Sequence, residues 1–166
     1  MAQTTGKIRS NAIGVYISNA QGASTIDTDA TDDTYDLIAC ATSGTFSGSM
    51  EVLDATTKDN DGQREILTGG LTWSMTAEGM VQYDLATTVN SNIDLFDLWS
   101  AKTKLRLAWT TGIDGDYMYY GNAYITSYEE TAGLNEIASY SVTFEGDGSI
   151  TKAAVDTGAT FNNNDD

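Results

Sequence analysis

The stretch Tyr117–Gly148, YMYYGNAYITSYEETAGLNEIASYSVTFEGDG, decides the fold. Gly121, Ala123, Ile125 and Ser127 alternate with Asn122, Tyr124, Thr126 and Tyr128. Further on, Tyr140, Val142 and Phe144 alternate with Ser139, Ser141, Thr143 and Glu145. A period of two in β-branched and aromatic residues marks a half-buried strand. The intervening EETAGLNE is rich in turn formers, so the pattern predicts a long antiparallel hairpin. A lone hairpin is marginal in water. The flanking segments must therefore supply more sheet.

Outward from the hairpin, Lys104–Thr110 reads as a strand with Leu105, Leu107 and Trp109 inward. Before it, Ser91–Lys102 (SNIDLFDLWSAK) has the pattern of a helix. Ser91 and Asp94 make a capping-box-like start, and early Asp94 and Asp97 with late Lys102 and Lys104 suit the helix dipole. The 3.6 period puts Ile93, Phe96, Trp99 and Ser100 on one side, with Leu95 and Leu98 widening the stripe that covers the sheet. Leu71–Leu85 alternates again, with Gly79 marking a bulge or bend. Ser47–Leu53, Leu37–Ala41 and Lys7–Ser18 are further strands. The expectation is a mainly β domain of about seven strands, sandwich- or barrel-like, with one flanking helix and one long loop. A single domain over 1–152 carries an N-terminal arm near 1–10, a loop near 54–70 and a helix near 92–102. Residues 153–166 read as a flexible polar tail. No internal repeat is visible.

The chain of 166 residues is long enough to bury roughly two thirds of its unfolded surface. No apolar run approaches the ~20 residues of a membrane helix, so membrane insertion is not expected. The opening MAQTTGKIRSNAIGVYIS lacks the apolar core of a secretory signal. Cys40, the single cysteine, sits in LIACA as a small hydrophobe and suits a reducing cytoplasm. Twenty-four acidic residues against 8 basic ones give a net charge of −16, which repels phosphate and argues against a nucleic-acid groove. With no histidine, His-dependent triads and most zinc sites are excluded.

Two acidic loops invite a metal assignment, and neither fits a template. Asp27, Asp29, Asp32, Asp33 and Asp36 cluster oxygens as calcium wants, yet their spacing is that of a solvated turn-rich loop. Thr57–Gly62 imitates half an EF-hand loop, with threonine in place of the first aspartate and Thr68 in place of the bidentate glutamate. No metal or cofactor is assigned. A long polar loop such as Asp54–Gly70 in a compact domain is usually functional or disordered. The carboxylates fall in turns and on exposed strand positions, so no catalytic pair is assigned. Tyr117, Tyr119, Tyr120, Tyr124 and Tyr128 would suit a sugar-stacking platform, but alternation sends about half of them into the core. Gly69 and Gly70 close a loop and do not open a helix, so they are no phosphate cradle.

Three stretches together resemble the major tail protein, or tail tube protein, of long-tailed bacteriophages, near the lactococcal-phage branch. They are EVLDATTKDNDG with LTGGLTWS (Glu51–Gly62, Leu67–Ser74), LFDLWSAKTKLRL (Leu95–Leu107) and TFEGDGSITK (Thr143–Lys152). The resemblance spans most of 48–152 and is loose over 1–47. No Ig-like C-terminal domain is expected after 152. It implies a non-enzymatic virion protein, made in the host cytoplasm, that forms hexameric rings stacked into a hollow tube. Implied partners are further copies of the chain and tape-measure, tail-tip and tail-terminator proteins, with DNA passing through unbound. The loop with Asp54, Thr56, Thr57, Lys58, Asp59, Asn60, Asp61 and Arg64 would stack against the next ring, with the N-terminal arm and C-terminal tail as further contacts. Glu51, Glu78 and Glu145, on polar strand faces, are the candidate lumen acids. The alternatives are the inner tube of a contractile injection system and a carbohydrate-binding β-sandwich.

Overall fold

The computed structural model describes residues 8, 13–18, 34–38, 41–56, 64–83, 90–155 and 159–162. Cys40, the loop acids Asp27, Asp29, Asp32 and Asp33, and loop residues Thr57, Lys58, Asp59, Asn60 and Asp61 lie outside them. The strands are β1 (Gly14–Ser18), β2 (Thr34–Leu37), β3 (Ala41–Asp54), β4 (Ile66–Met80), β5 (Leu105–Thr110), β6 (Tyr117–Thr131), β7 (Ser139–Gly146), β8 (Thr151–Ala154) and β9 (Thr160–Asn162). The helix α1 spans Asn92–Ser100. All nine strands belong to one sheet in the order β3-β4-β7-β6-β5-β1-β2-β9, with β8 beside the first half of β6.

The hairpin that opened the sequence reading is β6–β7, paired from Ala123↔Gly146 to Thr131↔Ser139. Its core face buries Ala123, Ile125, Tyr140, Val142 and Phe144 with Met75 and Ala77 of β4 and Leu105 and Leu107 of β5. The sheet curls until β3 lies over β1 and β5. A Cβ on Gly44 would sit 3.2 Å from Trp109 and 3.3 Å from Val15, and Phe46 stacks on Tyr119 with ring centroids 5.7 Å apart. One sheet folded on itself thus provides the barrel-like closure.

Trp73 locks the middle of this wall. Its indole crosses β6 and β7 where Gly121 and Gly146 carry no side chain; a Cβ at Gly121 would come within 2.6 Å of the ring. The indole N–H donates to the carbonyl of Gly148 at 3.0 Å. Gly148 has φ +89, a conformation that suits glycine. The tryptophan strand and the FEGDG segment, separate in sequence, are therefore one packing unit.

Several sequence boundaries shift. Ile66–Gly70, read as the end of a loop, is strand, paired Asp54↔Ile66 and Val52↔Thr68. Gly69 fits the close approach of Glu51, whose side chain lies 2.8 Å from where a Cβ would be. The irregularity expected at Gly79 falls opposite it, in β3 between Ala41 and Ser43. Within the segment read as a free tail, Thr160–Asn162 pairs in parallel with β2. Phe161 anchors it, stacked on Tyr35 and edge-on to Tyr16. A three-residue strand held by one aromatic leaves no periodicity to read.

The helix begins as expected. The Ser91 hydroxyl accepts from the Asp94 N–H at 3.3 Å, and the Asp94 carboxylate accepts from the Ser91 N–H at 2.9 Å. It ends in a Schellman arrangement, with Thr103 N–H to Leu98 O and Lys102 N–H to Trp99 O, Lys102 taking φ 53. The buried side differs from the expected one. Asn92 and Leu95 are buried and Leu98 packs on the core, whereas Ile93, Phe96 and Trp99 are exposed. Five apolar side chains on nine positions offer two stripes. The sheet took the narrower, Leu95–Leu98.

Candidate assembly surfaces

The face of β3, β4, β7 and β6 opposite the core is built in cross-strand rows. Ser43, Glu78, Ser141 and Glu129 are in register across the four strands, as are Thr45, Thr76, Thr143 and Ser127. Ser47, Ser74, Glu145 and Tyr124 form a third row. These positions hold hydroxyls and carboxylates and no lysine or arginine. The Ser43 hydroxyl donates to Glu78 at 3.1 Å, and Ser49 and Thr72 share a hydrogen bond of 2.7 Å. Of the candidate acids, Glu78 and Glu145 meet on this face. Glu51 sits instead at the β3 bulge against Gly69. Glu129, which sequence reasoning missed, joins them through a bulge between Ile125 and Ser127 that reverses the alternation of β6. The same bulge moves Tyr128 from the side of Tyr124, where it was expected, to the core face.

The β3–β4 ribbon leaves the body at Ser74, its last partner on β7 being Glu145. Beyond that level Met50, Val52, Leu53, Ile66, Leu67 and Leu71 are all exposed, Leu71 at 78%. Asp54, Thr56 and Arg64 shape the base of the connecting loop. The Thr56 N–H donates to Asp54 at 2.9 Å and holds its carboxyl below the ordinary value together with the Thr56 hydroxyl. Arg64 Nε lies 3.6 Å from the same carboxylate, an exposed pair of small energetic weight. The outer edge of β3 has no strand partner among the described residues, and it carries no lysine, proline or histidine. Long edges without such protection are templates for strand addition.

At the other end, α1 and β6 enclose a cavity of about 300 Å³ lined by Tyr83, Asn92, Ile93, Phe96, Tyr128 and Glu130. Phe96, Trp99 and Tyr128 form a ring cluster with centroid separations of 5.7, 5.7 and 6.4 Å. Tyr128 donates a very short hydrogen bond to Glu130, and the Asn92 amide donates to the same oxygen at 3.0 Å. These bonds hold the Glu130 carboxyl below the ordinary glutamate value, while burial and then Glu130 push the Tyr128 phenol up. Glu130 is therefore ionised at neutral pH.

The tyrosines do not make a platform. Tyr117 lies under Lys152 at 4.1 Å, Tyr119 stacks on Phe46, Tyr120 packs on the smaller core cluster, and Tyr128 joins the helix. What the chain presents is a polar strand face, a bare strand edge and apolar ends: the surfaces of a subunit made to polymerise.

Comparisons with known proteins give that class its family. A family model for the phage tail tube protein matches residues 24–152. The chain belongs to the phage tail tube protein family, and its role is that of a structural tail tube subunit. Among solved structures, it is similar to the tail of the empty gene transfer agent particle in C6 symmetry, with TM-score 0.68, 18% identity, and coverage of 89% of this chain and 100% of that one. The SPP1 tail tube matches with TM-score 0.66 and 14% identity over 89% of this chain and 80% of that one. An extracellular contractile injection system in its sheath–tube complex matches with TM-score 0.57 and 17% identity over 92% and 95%. No curated protein sequence matches the chain.

Proposed function

We propose that the protein assembles into hexameric rings that stack into a hollow tube, with the polar face of β3, β4, β7 and β6 lining the bore. The carrying observation is the row arrangement of hydroxyls and carboxylates without a cation across four strands. Glu78, Glu129 and Glu145 repel phosphate over about 8 Å at physiological salt, so DNA in transit slides without adhering. Ring closure joins the bare β3 edge to a neighbouring copy, which removes the edge. Rings with unlike ends make heterologous contacts, and these generate filaments. The 54–65 loop and its apolar flanks, with Glu51 at their base, are the ring-to-ring contact. The tube serves within a virion tail, assembled in the host cytoplasm around a tape-measure protein and bounded by tip and terminator proteins.

Negative-stain microscopy of concentrated protein tests this, with salt added to screen the −16 charge. Long hollow tubes with six-fold end views are expected. A monomer stable at every concentration and ionic strength would overturn the proposal, and glycan binding by that monomer would favour the lectin-like alternative.

A further inference from the structure

The cavity beside α1 is chemically specific. Three aromatic rings, Tyr83, Phe96 and Tyr128, and the ionised carboxylate of Glu130 line it. Asn92 donates its amide to Glu130 at 3.0 Å and so fixes that carboxylate at the cavity wall. A group that satisfies a carboxylate and ring faces together is a cation with N–H donors. The rim is apolar: Ile93 and Phe96 are exposed, and the nearby β6–β7 turn holds out Leu134 at 93% exposure and Ile137 at 71%. Exposed apolar groups around a charged pocket mark a protein-binding surface more than a small-molecule site.

The position of the pocket identifies the occupant. Glu130 is in register with Tyr140, and Tyr140 with Gly79, so the pocket lies level with the end of β4. Ile66, at the hairpin end of the same strand, is roughly 43 Å away at about 3.3 Å per residue. The pocket and the projecting ribbon are thus opposite ends of one molecule, each with uncovered apolar side chains. Heterologous stacking brings such ends together.

Basic residues are few, which narrows the donor. Arg64 faces Asp54, Lys104 holds Asp147 at 2.5 Å, Lys152 covers Tyr117 and Arg106 is buried. Lys102 follows the helix that forms the pocket, at the wrong end for a head-to-tail contact. Ile8, between Lys7 and Arg9, is directed to Trp109, Tyr117 and Tyr119 of its own chain. Lys58 belongs to the segment that joins the two strands of the projecting ribbon. We propose that the Tyr83–Phe96–Tyr128–Glu130 pocket of one copy receives the ammonium group of Lys58 from a copy in the adjacent ring. The proposal rests on the tube reading and adds the receptor for its stacking loop.

Zero-length carbodiimide coupling, which joins a lysine amine to a carboxylate in contact, tests it on the unmodified protein. The expected result is an intermolecular Lys58–Glu130 peptide pair in assembled tubes that is missing from dilute monomer. Tubes that lack this pair, or that couple Glu130 to Lys7, overturn the proposal. A charge exchange gives an independent readout. K58E and E130K are each expected to lose tubes, and the double variant to regain them. Normal tubes from K58E, or no recovery in a double variant whose circular dichroism matches wild type, would also sink the idea. Failure of the wild-type chain to form any tube is a separate outcome, since it removes the assembly reading itself.

Discussion

The two ends of the sheet obey opposite rules. At the β1–β2–β5–β9 end both faces are covered: Val15, Ile17 and Leu107 enter the main core, and Tyr16, Tyr35 and Ala108 form a second cluster on the other side with Phe161. Along the projecting half of the β3–β4 ribbon neither face is covered among the described residues, and Met50, Val52, Leu53, Ile66 and Leu67 stay exposed. Both ends are rich in apolar side chains, so hydrophobicity alone does not separate them. The difference is where the partner comes from. The packed end is completed by the chain itself, and the bare end, in the proposed tube, by another copy.

Substitutions should divide along that line. The largest cost to the folded monomer is expected at Trp73→Ala, about 3–5 kcal/mol, since it empties the seat over Gly121 and Gly146. Urea unfolding checks it, and a change below about 1 kcal/mol would show that the ring is dispensable. Phe161→Ala removes two aromatic pairs worth about 0.5–1.5 kcal/mol each and should release β9. Hydrogen exchange at Thr34–Leu37 would then rise; unchanged protection there counts against the anchoring role. Leu67→Asp, on the bare ribbon, should alter monomer stability by less than about 0.5 kcal/mol while abolishing tubes. Deleting Lys58–Gln63 should give the same split. A melting shift of several degrees in either variant would mean that the ribbon packs within the monomer.

The smallest effect is the response to acid. The folded pKa of Glu130 is depressed, so its contribution is present above the unfolded value and is lost as pH falls through the folded one. Trp99, in ring contact with Tyr128, should report this by fluorescence below the ordinary glutamate range. In Glu130→Gln that acid step should vanish; its persistence would assign the change to another group.

Alternation alone placed most of the sheet, because a strand with one wet face must repeat every two residues. The capping box was equally local, set by Ser91 and Asp94. What was not legible depends on distant partners. Nothing in YITSY marks a bulge at Thr126, yet that bulge sends Tyr128 and Glu130 to the helix side and Glu129 to the polar face. The choice between the Leu95–Leu98 and Ile93–Phe96–Trp99 stripes was likewise made by the curvature of the sheet. The exposed stripe, which sequence reading laid against the sheet, became visible only after that choice. Glu78 and Glu145 were legible as polar-face residues. Their placement in rows with Ser43, Ser141 and Glu129 required the register.

The β6 bulge also sets how this strand tolerates change in its length. Upstream of Thr126 its even-numbered side chains face the polar side, and downstream they face the helix. Loss of Thr126 would restore a single phase and leave both halves on their present faces, since Ile125 already opposes the inward Phe144 and Ser127 the outward Thr143: Glu129 would stay outward and Tyr128 inward. Loss of a second residue would slip the register by one and turn Glu129 inward and Tyr128 outward. A loss of one residue at this point is therefore expected to be tolerated in the family where a loss of two is not, a slack supplied by one extra residue.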